Sequence, residues 1–122
     1  MTCIITINAA DPEHLSAVKT EMVERGAPTL RAIRDEAQGV IVALEGSHRF
    51  VAALELGLTP TLALVDEDEM LTCADLGFDD CGWFDGEPAR AADIRDRIAA
   101  PCGTYKGCAF HRVDDDAIAI VA

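Results

Sequence analysis

The sequence predicts an α/β fold, a small mixed sheet with flanking helices. Three observations carry that reading. Short apolar runs rich in β-branched residues, Val40–Leu44 and Thr61–Val65, have the composition of buried strands. Apolar residues before and between those runs recur at helical spacing. Glycine and proline punctuate the joints, with Gly26, Pro28, Gly57 and Pro60 closing the helical stretches. A chain of 122 residues suits one domain with a core of its own.

The elements follow in order. Cys3–Ile7 reads as a strand. Asp11 supplies a helix N-cap and Pro12 the first helical position; Leu15, Val18 and Met22 carry the helix to Gly26. Thr29–Ile33 is a short extended segment, and Asp35–Gly39 is a polar turn before the Val40–Leu44 strand. The next helix places Phe50, Val51, Leu54 and Leu58 on one side. With Thr61–Val65 this makes a strand–helix–strand unit, for which the right-handed crossover predicts a parallel pair.

Asp66-Glu67-Asp68-Glu69 offers hard cation ligands, but consecutive residues on an extended chain point to opposite sides, so a solvated loop is expected. Asp79–Gly86 is turn-rich and holds the single tryptophan, Trp83, expected to anchor a core or lid rather than to stack on a base. Pro88 is expected to open a helix through Ala91, Ile94 and Ile98 that stops at Pro101. Tyr105–Val113 and Ala117–Val121 read as two strands joined by Asp114–Asp116 in a hairpin. Residues 70–122 either complete the sheet or cap it.

Composition narrows the function. A formal charge of −12 disfavours nonspecific nucleic-acid binding, which depends on Lys and Arg neutralising phosphates. It equally disfavours anionic membrane surfaces. No apolar run spans a bilayer, and Met1–Asn8 lacks the pattern of an export signal, so a cytoplasmic location is expected. The five cysteines, at 3, 73, 81, 102 and 108, are odd in number and include no CxxC pair. They are expected to be reduced, and no metal site is assigned to them or to His111.

The stretch with the most chemistry is Glu45-Gly46-Ser47-His48-Arg49, where the Val40–Leu44 strand turns into the following helix. Such a turn aims unpaired backbone N–H groups, and the positive end of a helix dipole, at one point. Cations at a helix start work against that dipole, so an adjacent His-Arg pair there is better explained by a bound anion than by helix stability. Arg49 can hold two phosphate oxygens in a fork, and His48 can donate a hydrogen bond or a proton.

Leu44-Glu45-Gly46-Ser47-His48-Arg49 followed by Phe50–Gly57 resembles the signature turn and alanine-rich helix of the ParB/sulfiredoxin superfamily. Ala27–Ala32 resembles the segment that precedes the signature strand, so the resemblance runs from Ala27 to Val65. It implies a ParB/sulfiredoxin-like nucleotide site in which Gly46, Ser47, His48 and Arg49 hold the phosphates of ATP or ADP, with CTP as a further candidate, together with Mg²⁺. Sulfiredoxins carry a cysteine in this turn, where this chain has Ser47, and ParB proteins carry a DNA-binding domain that this chain has no room for. The turn is most similar to that of small-molecule kinases of the superfamily.

The implied activity is phosphate transfer from ATP or ADP to a small hydroxylated molecule. Arg49 and the turn amides would neutralise charge and His48 would contact the transferred phosphate. Glu45 would align the acceptor hydroxyl or bind Mg²⁺ through water, and Arg31 would reach the same pocket. Glu36 and Asp66 are further acids without geometric support, and Ser47 is expected to N-cap its helix. The rivals are a non-catalytic nucleotide-binding or protein-interaction module and, least supported, a nuclease.

Overall fold

The computed structural model describes residues 1–7, 11–77, 82–101 and 103–122. Alternating burial of the strand residues builds its frame. Strand β1 (Thr2–Thr6) lies between two neighbours: β3 (Val40–Ala43) runs parallel to it and β7 (Ala109–Val113) antiparallel. β2 (Thr29–Asp35) pairs antiparallel with β3 and parallel with β4 (Thr61–Leu64), and β8 (Ala119–Val121) pairs parallel with β4. The resulting mixed sheet has the order β7-β1-β3-β2-β4-β8.

Both faces of the sheet are covered, which is why its central strands read as continuous apolar runs. One face, with Ile5, Ile33, Val42 and Leu44, packs on helix α3 (Ala91–Ala99) through Ala91, Ile94 and Ile98. The other, with Ile4, Leu30, Ala32, Ile41 and Leu62, packs on helix α2 (Ser47–Glu55) through Phe50. Helix α1 (Pro12–Arg25) lies against α2, where Met22, Leu15 and Val18 meet Ala52, Ala53 and Leu58.

Helix α1 obeys its sequence signals. Asp11 is the N-cap, Pro12 opens the helix, and Gly26 at φ 81° closes it by donating to the Met22 carbonyl. Four other expectations need correction. The strand–helix–strand unit does not make a parallel pair: β3 and β4 are separated by β2 and run in opposite directions. Ala43 pairs with Ala32, and Thr61 with Thr29, so β3 ends and β4 begins at the same end of β2. Helix α2 therefore does not carry the chain to the far end of the sheet, and the handedness rule has no parallel crossover to act on.

The last two strands do not form a hairpin. β7 pairs with β1 and β8 with β4, at opposite edges of the sheet, and a 3-10 turn at Asp115–Ala117 intervenes. Residues 109–121 thus complete the sheet on both sides. Tyr105 lies before β7, in a left-handed conformation at φ 52°.

Helix α3 begins at Ala91, not at Pro88. Ala89–Arg90 forms a short strand, β6, paired with β5 (Met70–Leu71). The acidic loop between β4 and β5 dictates that start, because Glu69 and Glu67 carbonyls accept from the first α3 amides, Ala91 at 2.8 Å and Ala92 at 3.0 Å. Its side chains are exposed and pair with arginines, Asp68 with Arg90 and Glu67 with Arg95.

Fourth, Ser47 does not cap its helix: it occupies the first helical position of α2, the N-cap is Gly46, and among the described residues no side chain caps this helix. Trp83 packs against the α3-side core, edge-on to Phe84. The Asp79-Asp80-Cys81 part of the turn-rich stretch, and Cys102, lie outside the described residues. Cys3 and Cys108 are free thiols, and no group of three metal-ligating side chains converges among the described residues. No helix is long and apolar enough to cross a membrane.

Candidate functional site

Gly46 makes the turn from β3 into α2 with φ 66° and ψ 42°, in the left-handed region that glycine enters without penalty. A Cβ there would also meet Leu30 Cδ2 at 2.5 Å and Arg49 Nε at 3.1 Å. The position therefore needs glycine for its backbone and for the close approach of two side chains. Beyond it, the amides of the first α2 turn precede the first intrahelical bond, from Phe50 N–H to the Gly46 carbonyl, and among the described residues no side chain caps them. The first turn also holds no acidic residue, whereas α1 carries Glu13 and α3 carries Asp93 at the equivalent place. In a chain with a net charge of −12, this helix start stands apart by carrying His48 and Arg49 instead.

The turn opens into a cleft of about 570 Å³, within the usual range for small-molecule sites. Glu45, Gly46, Ser47, His48 and Arg49 all line it, so the structure brings these sequence-predicted residues together. Arg31 is not on the cleft wall. It stands behind Glu45, whose Oε2 accepts from the Arg31 backbone N–H at 2.8 Å and from its Nε–H at 2.7 Å. Arg31 Nη2 also donates to the Asp75 carbonyl at 2.9 Å, tying this pair to the loop that brings Leu76 and Gly77 to the cleft. Glu36 and Asp66 do not line the cleft.

Glu45 has a second cation nearby. Arg49 Nη2 lies 3.8 Å from its Oε1, and the Glu45 side chain is only 14% exposed. Burial pushes the carboxyl up, but the Arg31 side-chain and backbone hydrogen bonds and the charges of Arg31 and Arg49 outweigh it. They hold Glu45 below the usual carboxylate range. Both Oε2 acceptor directions are engaged by Arg31, and Oε1 accepts a longer bond from Arg31 Nη2 at 3.4 Å, which leaves one acceptor direction of Oε1 for a ligand hydroxyl.

The opposite wall is one face of α1, and sequence reasoning did not assign it. His14, Val18, Glu21, Met22 and Arg25 recur at helical spacing and line the cleft. From His14 to Arg25 this wall runs about 16 Å along the helix axis, at about 1.5 Å per residue. The His14 ring stacks on the His48 ring with centroids 4.1 Å apart. The mixture of polar and apolar side chains on one α1 stripe was the available signal. Nothing in the sequence showed that this stripe faces a turn more than twenty residues downstream.

The arrangement can hold an anion. Backbone N–H groups, a helix dipole, a guanidinium and an imidazole converge on a concave surface whose remaining wall is partly apolar. Among the described residues, the carboxylates on that surface are Glu21 and Glu45. No family model, curated protein or solved structure matches this chain.

Proposed function

We propose that this chain binds a nucleotide at the Gly46–Arg49 turn and transfers phosphate from ATP or ADP to a small hydroxylated molecule, as a ParB/sulfiredoxin-like phosphotransferase. The observation that carries the reading is the uncapped, acid-free start of α2, with His48 and Arg49 on the wall of the same cleft. Phosphoryl transfer asks little covalent chemistry of a protein and much positioning and charge neutralisation. The free amides and Arg49 supply neutralisation, His48 a hydrogen bond to the phosphate, and Glu45 Oε1 an acceptor for the hydroxyl of the second substrate. Arg31 fixes Glu45 rather than touching phosphate. Glu21 and Glu45 are hard oxygen donors of the kind that hold Mg²⁺ through water, and a bound Mg²⁺ would supply further neutralisation of the phosphate oxygens.

The second reading is a nucleotide-binding or protein-interaction module without catalysis. The pairing of Glu45 with two arginines favours it, because a carboxylate held ionised by cations is a weak base.

Calorimetric titration with ADP, ATP and CTP, each with Mg²⁺, tests both. Binding by the wild-type chain and its loss in Arg49→Ala support the nucleotide site. Phosphate transfer in a screen of hydroxylated metabolites then separates enzyme from module. A wild-type chain that binds none of the three nucleotides overturns the proposal.

A further inference from the structure

The first turn of α1 touches the imidazole that the proposed function places on phosphate. Asp11 N–H donates to His48 Nε2 at 3.0 Å. The His14 ring lies face to face with the His48 ring, with the planes 28° apart. Asp11 and His14 also belong to one cap, since Asp11 Oδ2 accepts from His14 N–H at 3.4 Å.

A backbone N–H is a donor only, so its acceptor must present a lone pair. Nε2 of His48 therefore carries no proton while this bond stands, and in the neutral ring the proton sits on Nδ1. A free histidine side chain favours the opposite tautomer, with the proton on Nε2. The stack fixes a second variable, because turning the ring about Cβ–Cγ would break its face contact with His14. Tautomer and orientation of His48 are both set from a helix that contributes neither the glycine turn nor the arginine.

We propose that Asp11 and His14 are positioning residues that hold His48 with its proton on Nδ1, and that Nδ1–H is the donor offered to the anion at the Gly46–Arg49 turn. The second half of this statement rests on the anion-site reading above. The first half does not.

Long-range ¹H–¹⁵N correlation spectra of the full chain, above the ordinary histidine titration range, read the tautomer of each ring. The wild-type spectrum is expected to show His48 protonated on Nδ1. Asp11→Pro deletes the amide donor at a φ of −81°, close to what proline adopts, and is expected to move the proton to Nε2. Asp11→Ala loses the same side-chain cap but keeps the amide, and is expected to retain Nδ1–H. His14→Phe keeps a stacking ring and the single tautomer, whereas His14→Ala gives an averaged one.

Titration with inorganic pyrophosphate reads the second half. Affinity is expected to be several-fold lower in Asp11→Pro than in Asp11→Ala, and lower in His14→Ala than in His14→Phe. A wild-type His48 protonated on Nε2, or an unchanged tautomer in Asp11→Pro, overturns the clamp. Equal pyrophosphate affinity in the two Asp11 variants overturns the donor role. Absence of pyrophosphate binding in the wild-type chain overturns the anion site and the donor role with it, while the spectra still decide the clamp.

Discussion

Glu45 and Arg31 form a clamp in which one carboxylate oxygen, Oε2, accepts from both the backbone N–H and the side-chain Nε–H of Arg31, while Oε1 accepts from Arg31 Nη2 at 3.4 Å. The clamp joins the end of β3 to the adjoining strand β2, which pair antiparallel at Ala32 and Ala43. It therefore fixes the residue immediately before Gly46, and with it the angle at which the chain enters α2.

Arg31→Ala is expected to lower stability by about 1–2 kcal/mol. That value lies between an exposed and a buried pair, because Arg31 remains partly in solvent. Since Glu45 titrates below its ordinary 4.5 in the folded chain, the unfolded chain binds more protons near that pH. Its contribution is present above 4.5 and is lost as pH falls through the lower, folded value. Urea melts across the acid range should show a steeper acid loss in the wild-type chain than in Glu45→Gln.

Gly46→Ala is expected to destabilise by about 2–3 kcal/mol, from a left-handed alanine and the contact its Cβ would make with Leu30. Arg49 lies against the same added atom, so pyrophosphate affinity should fall along with the melting temperature. A variant as stable as the wild-type chain would contradict this account of the turn.

Tyr105→Phe is expected to lower stability by about 1–3 kcal/mol, because the Tyr105 hydroxyl donates to Asp35 Oδ2 in a buried setting. Burial, and then the Asp35 hydrogen bond and charge, raise the phenol well above its ordinary 10.0. A raised folded pKa means stability that is complete below 10.0 and lost as pH rises past it. Alkaline denaturation should accordingly be steeper in the wild-type chain than in Tyr105→Phe.

His111 provides a test near neutrality. Its ring is partly buried beside Phe50, with Nε2 2.9 Å from Thr6 Oγ1, and burial lowers its pKa from 6.5. The unfolded chain then takes up more protons as pH falls below 6.5, so stability declines in that direction. Chemical denaturation at about pH 7.5 and about pH 5.5, either side of the ordinary histidine value, should show a larger acid loss for the wild-type chain than for His111→Gln.

Local signals were legible where short-range chemistry decides. The Asp11 cap, the Pro12 start and the Gly26 stop of α1 involve only neighbours within four residues, and each is where the sequence places it. The same holds for the turn of Glu45–Arg49 from strand to helix. Pro88 was a weaker guide, because the start of α3 is set by carbonyls of Glu67 and Glu69, more than twenty residues earlier. Ser47 misled for a different, local reason: the cap residue must keep a non-helical backbone, Gly46 takes that place in the left-handed region, and Ser47 already lies inside the helix.

Periodicity and adjacency along the chain suffice for α1, α2, the strands β1 to β4 and the cluster of Glu45, Gly46, Ser47, His48 and Arg49, because these are properties of neighbouring residues. Which strands pair, where Arg31 points and what faces His48 follow from contacts between distant parts of the chain. Strand order depends on which end of β2 the chain returns to, and both 3.0 Å and 4.1 Å contacts to His48 join α1 to α2 across 34 or more residues. Such long-range choices are fixed by the summed burial of both sheet faces, which no local pattern encodes.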